Sequence, residues 1–133
     1  MPYLIDSDVV IDHLADVTTA TTLLEQLAAD GIAVSIITYM EAYQGVLRSP
    51  HPTNARKQFE AFLKTVPVLP LSQASAERCA QLREMLHKEG KRVKARALDL
   101  MTAAIALEFG LTLVTRNVED YHDISGLNLY KAS

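Results

Sequence analysis

The sequence predicts an α/β fold in which a mostly parallel central sheet is flanked by helices on both faces. Short apolar runs alternate along the chain with longer segments whose apolar residues recur at helical spacing. Several of the apolar runs also end directly on an acidic or polar side chain. Strands that alternate with helices imply parallel pairing, and ligands in such folds bind beyond the carboxyl ends of the strands.

Five apolar runs are predicted as strands. They cover residues 3–5, 32–36, 66–71, 111–115 and 127–130. Pro67 and Pro70 interrupt the third run, which indicates an edge strand or an irregular one. The remaining runs carry few polar residues, as expected of strands that are buried on both faces.

The intervening segments show helical periodicity. They cover residues 9–14, 18–30, 55–65, 72–88 and 98–109, and one more helix starts near residue 38. Gly31, Gly90 and Gly110 each follow such a segment, and glycine is a common residue just beyond a helix end. Cys79, the single cysteine, lies within residues 72–88, where we expect a buried structural thiol.

Composition restricts the class of protein. A chain of 133 residues, 49% of them hydrophobic and 22% charged, fits one globular domain spanning 1–133. The formal net charge of −3 argues against binding nucleic acid through bulk electrostatics, so such a substrate would need a local basic patch or metal ions. No apolar run reaches the roughly 18 residues of a membrane span and the first residues are acidic rather than basic, so the expected location is the cytoplasm.

Acidic side chains recur where predicted strands end or helices begin. They are Asp6 after the first strand, Glu41 after the second, Asp120 after a late strand and Asp99 in the first turn of the most apolar helix. Asp6 also suits a helix cap, and Asp99 suits the dipole at a helix start. Thr38-x-x-Glu41 matches a capping box, in which the glutamate bonds the backbone at the helix start. Because parallel strands place their carboxyl ends at one edge, we nevertheless expect the four carboxylates to converge.

Converging carboxylates predict a particular chemistry. Clustered acids repel one another and have raised pKa values unless a cation is present. The cations that suit oxygen ligands are Mg²⁺ and Mn²⁺, which activate water and stabilise phosphoryl groups during in-line displacement. The sequence has no Walker-type loop, no GxSxG elbow and no HExxH helix. Metal-assisted phosphodiester hydrolysis is therefore the best-supported reaction.

Four stretches of the sequence occur in an order and spacing typical of one family. They are residues 4–11 (LIDSDVVI), Ser35-x-x-Thr38-x-x-Glu41, residues 98–106 (LDLMTAAIA) and residues 113–121 (LVTRNVEDY). Together they resemble the PIN-domain family, and within it the VapC-like ribonuclease toxins of type II toxin–antitoxin systems. The resemblance covers nearly the whole chain and implies a single PIN-like domain with metal-dependent endoribonuclease activity.

The resemblance also implies the residues of the site. The implied Mg²⁺ or Mn²⁺ ligands, which are also the catalytic residues, are Asp6, Glu41, Asp99 and Asp120. The implied supporting residues are Ser7, Thr115 and Asn117. Asn117 stands where many PIN domains have a fourth aspartate, so the sequence leaves open whether Asn117 or Asp120 completes the site. Asp8 stands where the family often has asparagine, and it adds negative charge beside the site.

The same resemblance implies an RNA substrate such as tRNA or rRNA, a homodimer, and a cognate antitoxin whose tail occupies a groove near the acids. Candidate contacts with the RNA backbone are Lys91, Arg92, Lys94, Arg96 and Arg116. For the basic stretch from Lys88 to Arg96, a solvated helix end is an equally good explanation. Tyr39, Met40, Tyr43 and Val46 could line a partner groove, although core packing explains most of them better.

Two other functions fit parts of the sequence. A strand that runs into Asp-x-Asp also begins the haloacid dehalogenase phosphohydrolases, in which Asp6 would be a nucleophile and Asp8 an acid/base. Val9 and Val10 do not match the usual continuation there, and no clear lysine follows a third strand. A non-catalytic PIN-like module would bind an antitoxin or RNA without cutting it, and Asn117 is its only support. A trapped aspartyl-phosphate on Asp6 would indicate the first. The second would be indicated if Asp6→Asn or Asp99→Asn left the RNA affinity unchanged and also changed nothing in a cleavage assay.

Overall fold

A computed structural model describes residues 2–133 and shows strands that alternate with helices. The strands are β1 (Tyr3–Ile5), β2 (Ile32–Ser35), β3 (Val68–Leu69), β4 (Thr112–Thr115) and β5 (Leu129–Lys131). The helices are α1 (Ser7–Leu14), α2 (Thr18–Ala28), α3 (Ile36–Arg48), α4 (Pro52–Leu63), α5 (Gln73–Lys88) and α6 (Ala97–Phe109). A short 3-10 turn (Val118–Asp120) follows β4. The predicted α/β fold class is confirmed.

The strands form one sheet in the order β3-β2-β1-β4-β5, and every neighbouring pair is parallel. In this register Leu4 of the central strand lies beside Ala33 on one side and Leu113 on the other. The proline-containing strand β3 is at an edge, as predicted. Because β1 is central, the residues that follow it lie in the middle of the carboxyl edge.

Side chains of the strands alternate between two apolar layers. Leu4, Ala33 and Leu113 pack with α5 and α6 on one face. Ile5 and its neighbours Val34 and Val114 pack with α1 to α4 on the other face. Leu4 and Ile5 are both 0% exposed, and each such burial contributes about 1.5–3 kcal/mol relative to an exposed side chain. Helices therefore cover both faces of the sheet.

The start of α3 differs from the prediction. Ser35, the last residue of β2, caps the helix, because its hydroxyl accepts a hydrogen bond from the Thr38 backbone N–H at 3.0 Å. The buried hydroxyl of Thr38 has no hydrogen-bond partner within residues 2–133. The predicted capping box of Thr38 and Glu41 is therefore wrong, since β2 runs into α3 without a loop. Glu41 lies well inside the helix, and its carboxylate is available for other contacts.

The start of α4 is also earlier than predicted. The helix begins at Pro52 rather than at residue 55, because proline has no N–H to leave unpaired at a first helical position. Other details match the sequence: Cys79 is buried in α5, and Gly110 ends α6 in a left-handed conformation with φ of 65°. No helix within residues 2–133 combines the length and apolarity needed to cross a bilayer.

The candidate partner-groove residues on α3 belong mostly to the core. Val46 is buried, and the rings of Tyr39 and Tyr43 pack on Phe59 with centroid distances of 5.3 and 6.5 Å. Met40 is 49% exposed. Core packing thus accounts for three of the four, as the sequence favoured.

Candidate active site at the carboxyl edge of the sheet

Asp6 lies directly beyond the central strand and is almost fully buried, with 7% of its surface exposed. Its backbone N–H donates to the Val114 carbonyl at 2.9 Å, which fixes it to the neighbouring strand. One carboxylate oxygen accepts a hydrogen bond from the Ser7 N–H at 2.8 Å and so caps α1. Burial, and then the charge of Asp8, raise the pKa of Asp6 to about 6. The cap accounts for only one of its two oxygens.

The second oxygen of Asp6 faces Tyr121. The Tyr121 hydroxyl is within donating distance of two carboxylates, Asp6 Oδ2 at 2.9 Å and Asp99 Oδ1 at 3.2 Å. Asp99 is in the first turn of α6, as predicted. Its pKa is raised by burial and by the nearby charges of Asp120 and Asp8, while Tyr121 opposes the rise. Two acids from different elements therefore meet at one buried hydroxyl.

Glu41 joins this group through its charge. Its half-buried carboxylate has a raised pKa because of burial and of the nearby charges of Asp99 and Asp8, and a hydrogen bond from the Ser7 side chain opposes the rise. Asp6, Glu41 and Asp99 come from the end of β1, from α3 and from α6. The structure thus places three of the four predicted acids in one region.

Asp120 lies further out. It is in the 3-10 turn and is exposed, and its backbone carbonyl accepts a hydrogen bond from Arg96 Nη2 at 2.7 Å. Its charge still reaches Asp99, whose pKa it raises. Asn117, the other candidate for a fourth ligand, donates its side-chain N–H to Asp8 Oδ2 at 3.1 Å.

Asp8 connects α1 to the end of β4. Its Oδ2 accepts hydrogen bonds from the Thr115 hydroxyl at 3.3 Å and from the Arg116 N–H at 3.0 Å, besides the one from Asn117. Its Oδ1 accepts from the Val9 N–H at 2.7 Å. The Thr115 hydroxyl also accepts a hydrogen bond from the Asn117 N–H at 3.1 Å. Asn117 therefore supports Asp8. Thr115 supports both Asp8 and Asp6, because a hydrogen bond from its side chain also opposes the rise in the pKa of Asp6.

The donor atoms suit a hard divalent cation, because Asp6, Glu41 and Asp99 supply only carboxylate oxygens. Within residues 2–133, no three His, Cys, Asp or Glu side chains are packed closely enough to form a ready-made metal cluster. Such spreading is expected of like charges that repel one another. A cation of charge +2 between them would relieve that repulsion, so the residues fit the group in charge and in ligand type.

Of the five basic residues predicted to contact RNA, three are paired with acids and two are not. Arg96 and Lys91 both pair with Asp123, at 2.8 and 3.4 Å. Arg116 pairs with Asp12 at 3.2 Å and lies 3.9 Å from Asp8. The other two, Arg92 and Lys94, are exposed and have no ion-pair partner in the part of the chain that the structure describes.

Sequence reasoning missed two residues of this site. They are Tyr121, which lies within residues 113–121 but was assigned no role, and Asp123. The available signal was an aromatic residue with a hydroxyl group directly after Asp120. That signal does not say which way the ring turns, so the contact with two acids could not be predicted.

The sequence and the fold are similar to those of known proteins. The PIN domain profile matches residues 3–126. The tRNA(fMet)-specific endonuclease VapC of Shigella flexneri is 25% identical over 127 residues, which cover 96% of this chain and 95% of that protein. The crystal structure of VapBC2 from Rickettsia felis, bound to a DNA fragment from their promoter, superposes with a TM-score of 0.90 at 24% identity and full coverage of both chains. A toxin–antitoxin complex from Klebsiella pneumoniae superposes with a TM-score of 0.77 at 27% identity, covering 98% of each chain.

The profile match covers nearly the whole chain. It includes all four stretches that resemble the family and every acid discussed above. The acids also lie where the fold places them, at the carboxyl edge of the sheet. The chain belongs to the PIN domain family.

Proposed function

We propose that the chain is an endoribonuclease of the VapC type, which hydrolyses phosphodiester bonds in RNA. The observation that carries the proposal is the convergence of Asp6, Glu41 and Asp99 from three elements, with pKa values raised by burial and by neighbouring acids. Perturbed acids grouped at a sheet edge are typical of a functional site. Similarity over nearly the full length to an endonuclease named VapC supports the reaction class.

We assign the same three acids to hold Mg²⁺ or Mn²⁺. When bound, such an ion supplies an activated water and neutralises charge on the phosphate that is attacked. Asp6 is the most rigid ligand, since it is fixed to β4 and to the start of α1. For the fourth ligand we favour Asp120, whose carboxylate is exposed, over Asn117, whose amide is bonded to Asp8.

Ser7 and Thr115 act as supporting residues in this proposal. The Ser7 side chain stabilises the ionised form of Glu41, and the Thr115 hydroxyl binds Asp8. Asp8 itself accepts hydrogen bonds from three consecutive residues at the end of β4, Thr115 to Asn117. We therefore assign Asp8 to anchoring that exit rather than to holding the cation.

Two partners follow from the proposed function. Arg92 and Lys94 are the best candidates to contact the RNA backbone, because they are exposed cations without a partner in residues 2–133. The Shigella relative is named for tRNA(fMet), which makes tRNA the first substrate to test. A solved relative is a toxin–antitoxin complex, which supports an antitoxin as the protein partner, and we propose a homodimer as the active assembly.

The geometry does not favour the haloacid dehalogenase alternative. That mechanism needs Asp8 as a mobile acid/base, whereas Asp8 is held by donors from three residues at the end of β4. The non-catalytic module remains the competing hypothesis and is decided by a cleavage assay.

The test is divalent-dependent cleavage of a mixed tRNA and rRNA pool by the wild type and by Asp6→Asn, each with and without EDTA. Asp30→Asn is a matched control, because Asp30 is an exposed acid before β2, at the opposite edge of the sheet. We expect cutting by the wild type and by the control, and none by Asp6→Asn or with EDTA. Cutting that survives both Asp6→Asn and EDTA would contradict the proposal. RNA binding without cutting would support the non-catalytic module.

A further inference from the structure

Tyr121 has no part in the function proposed above, yet it is the largest fully buried side chain of the described residues, with 1% of its surface exposed. A buried tyrosine hydroxyl normally finds a hydrogen-bond partner. Here it finds two, and both are acids assigned to cation binding. The pKa of Tyr121 is raised far above its ordinary value by burial and by these two charges, so the hydroxyl keeps its hydrogen.

The two contacts join segments that are far apart in sequence. Asp6 Oδ2 lies 2.9 Å from the Tyr121 hydroxyl and follows β1, whereas Asp99 Oδ1 lies 3.2 Å from it and belongs to α6. A hydroxyl carries one hydrogen, so the two carboxylates share it. Both carboxylates are thereby kept within reach of one atom, although their charges repel each other.

The backbone around Tyr121 is fastened to the same helix that carries Asp99. The Tyr121 N–H donates to the Val118 carbonyl at 3.0 Å, which closes the 3-10 turn. Arg96, directly before α6, donates to the Asp120 carbonyl at 2.7 Å. The position of the ring is therefore set by groups other than the acids, and the hydroxyl is held in place for them.

We propose that Tyr121 is a positioning residue, which holds the carboxylates of Asp6 and Asp99 at the spacing from which they bind a divalent cation. The proposal rests on the proposed function for the identity of the site. Residues that orient metal ligands by hydrogen bonds contribute about 10- to 100-fold to metal affinity. Removal of this hydroxyl is expected to act at the lower end of that range, because Glu41 does not depend on it.

The experiment measures Mn²⁺ affinity by isothermal titration calorimetry at neutral pH. Tyr121→Phe removes the hydroxyl and keeps the ring, and Tyr130→Phe is the matched control, since Tyr130 is 38% exposed on β5. We expect Tyr121→Phe to bind Mn²⁺ about 10-fold more weakly than the wild type and the control to bind it equally well. Thermal melting without metal should show Tyr121→Phe folded at the temperature of the titration.

Two results would overturn the proposal. One is Mn²⁺ affinity of Tyr121→Phe within twofold of the wild type. The other is a Tyr121→Phe protein that is unfolded at the assay temperature, because the hydroxyl would then serve stability rather than the spacing of the acids. A further expectation is that saturating Mn²⁺ restores RNA cleavage by Tyr121→Phe to near the wild-type rate.

Failure of the proposed function is distinguishable from failure of this inference. A wild-type protein that binds Mn²⁺ but cuts no RNA would contradict the nuclease, and the affinity comparison would still decide the role of Tyr121. A wild-type protein that binds Mn²⁺ no better than Asp6→Asn would overturn the role of Tyr121, whatever the cleavage assay shows.

Discussion

Arg96 and Asp123 form a bidentate ion pair, in which Nη1 lies 2.9 Å from Oδ2 and Nη2 lies 2.8 Å from Oδ1. Their side chains are only 18% and 12% exposed. Arg96 directly precedes α6 and Asp123 follows the 3-10 turn, so the pair fastens the segment of Tyr121 to the helix of Asp99. Hydrogen bonds from Arg96 lower the pKa of Asp123 to about 2, with a smaller contribution from Lys91.

The first prediction concerns this pair. We expect Asp123→Asn to lower the free energy of unfolding by about 1 kcal/mol at pH 7, the upper end for an ion pair near the surface. Because the pKa of Asp123 is lower in the folded state, its stabilisation is complete above the unfolded pKa of about 4 and is lost as the pH falls towards 2. Urea unfolding of wild type and variant between pH 7 and pH 2.5 tests this. The prediction would be contradicted if wild type and variant differed in free energy of unfolding by the same amount at pH 7 and at pH 2.5.

The second prediction concerns Asp6, whose pKa moves in the opposite direction. Its raised pKa means that the folded state binds the proton more tightly than the unfolded state. The resulting stabilisation is complete below the unfolded pKa of about 4 and is lost as the pH rises through about 6. We therefore expect Asp6 to make the metal-free protein melt at a higher temperature at pH 4.5 than at pH 7.

Melting of Asp6→Asn provides the comparison, because asparagine does not titrate. Its melting temperature should depend less on pH over this range than that of the wild type. Mn²⁺ affinity of the wild type should change in the other direction and weaken as the pH falls, since protons compete with the cation for the carboxylates. If the melting temperatures of the wild type and of Asp6→Asn changed equally with pH, the assignment of the proton to Asp6 would be refuted.

The third prediction follows from the true start of α3. Ser35→Ala removes the cap and should lower the free energy of unfolding by about 1 kcal/mol. Thr38→Val replaces a buried hydroxyl that has no partner in residues 2–133, so it should be neutral or stabilising. Chemical denaturation of both variants measures the contrast. A larger loss for Thr38→Val than for Ser35→Ala would restore the capping box that the sequence suggested.

The fold was predictable because each element carries its own local signal. Alternation of β-branched runs with helical periodicity gave the parallel sheet, and prolines placed β3 at an edge. The start of α3 was not predictable, since Ser35 ends a strand and caps a helix with the same residue. Local pattern favoured Thr38, which has the right spacing from a glutamate but not the right position.

The site was predictable only in part, for a related reason. Asp6 and Asp99 could be found because Asp6 follows β1 and Asp99 lies in the first turn of α6. Glu41 lies within the helix that follows β2, and the parallel topology brings all three positions to one edge. Tyr121 and Asp123 act through contacts that span 22 to 115 residues of sequence. Nothing local indicates such partners, so they became visible only in the folded chain.

The last prediction separates the basic residues of the loop before α6. Arg96 and Lys91 are paired with Asp123, so the cations left to meet RNA phosphates are Arg92 and Lys94. Contacts with phosphates weaken as salt rises, with a slope of about −0.7 per contact on single-stranded nucleic acid. Removing both cations should therefore reduce the slope of log affinity against log salt by about 1.4.

The measurement is RNA binding over a series of salt concentrations in an Asp6→Asn background, where the RNA stays intact. The variant is Arg92→Gln with Lys94→Gln, and the matched control is Lys57→Gln with Lys64→Gln, which removes two exposed cations at α4. We expect weaker binding and a shallower slope for the first variant alone. An unchanged slope for the first variant would mean that RNA approaches the acids from another side, and equal losses in both would indicate attraction to net charge rather than contact at this loop.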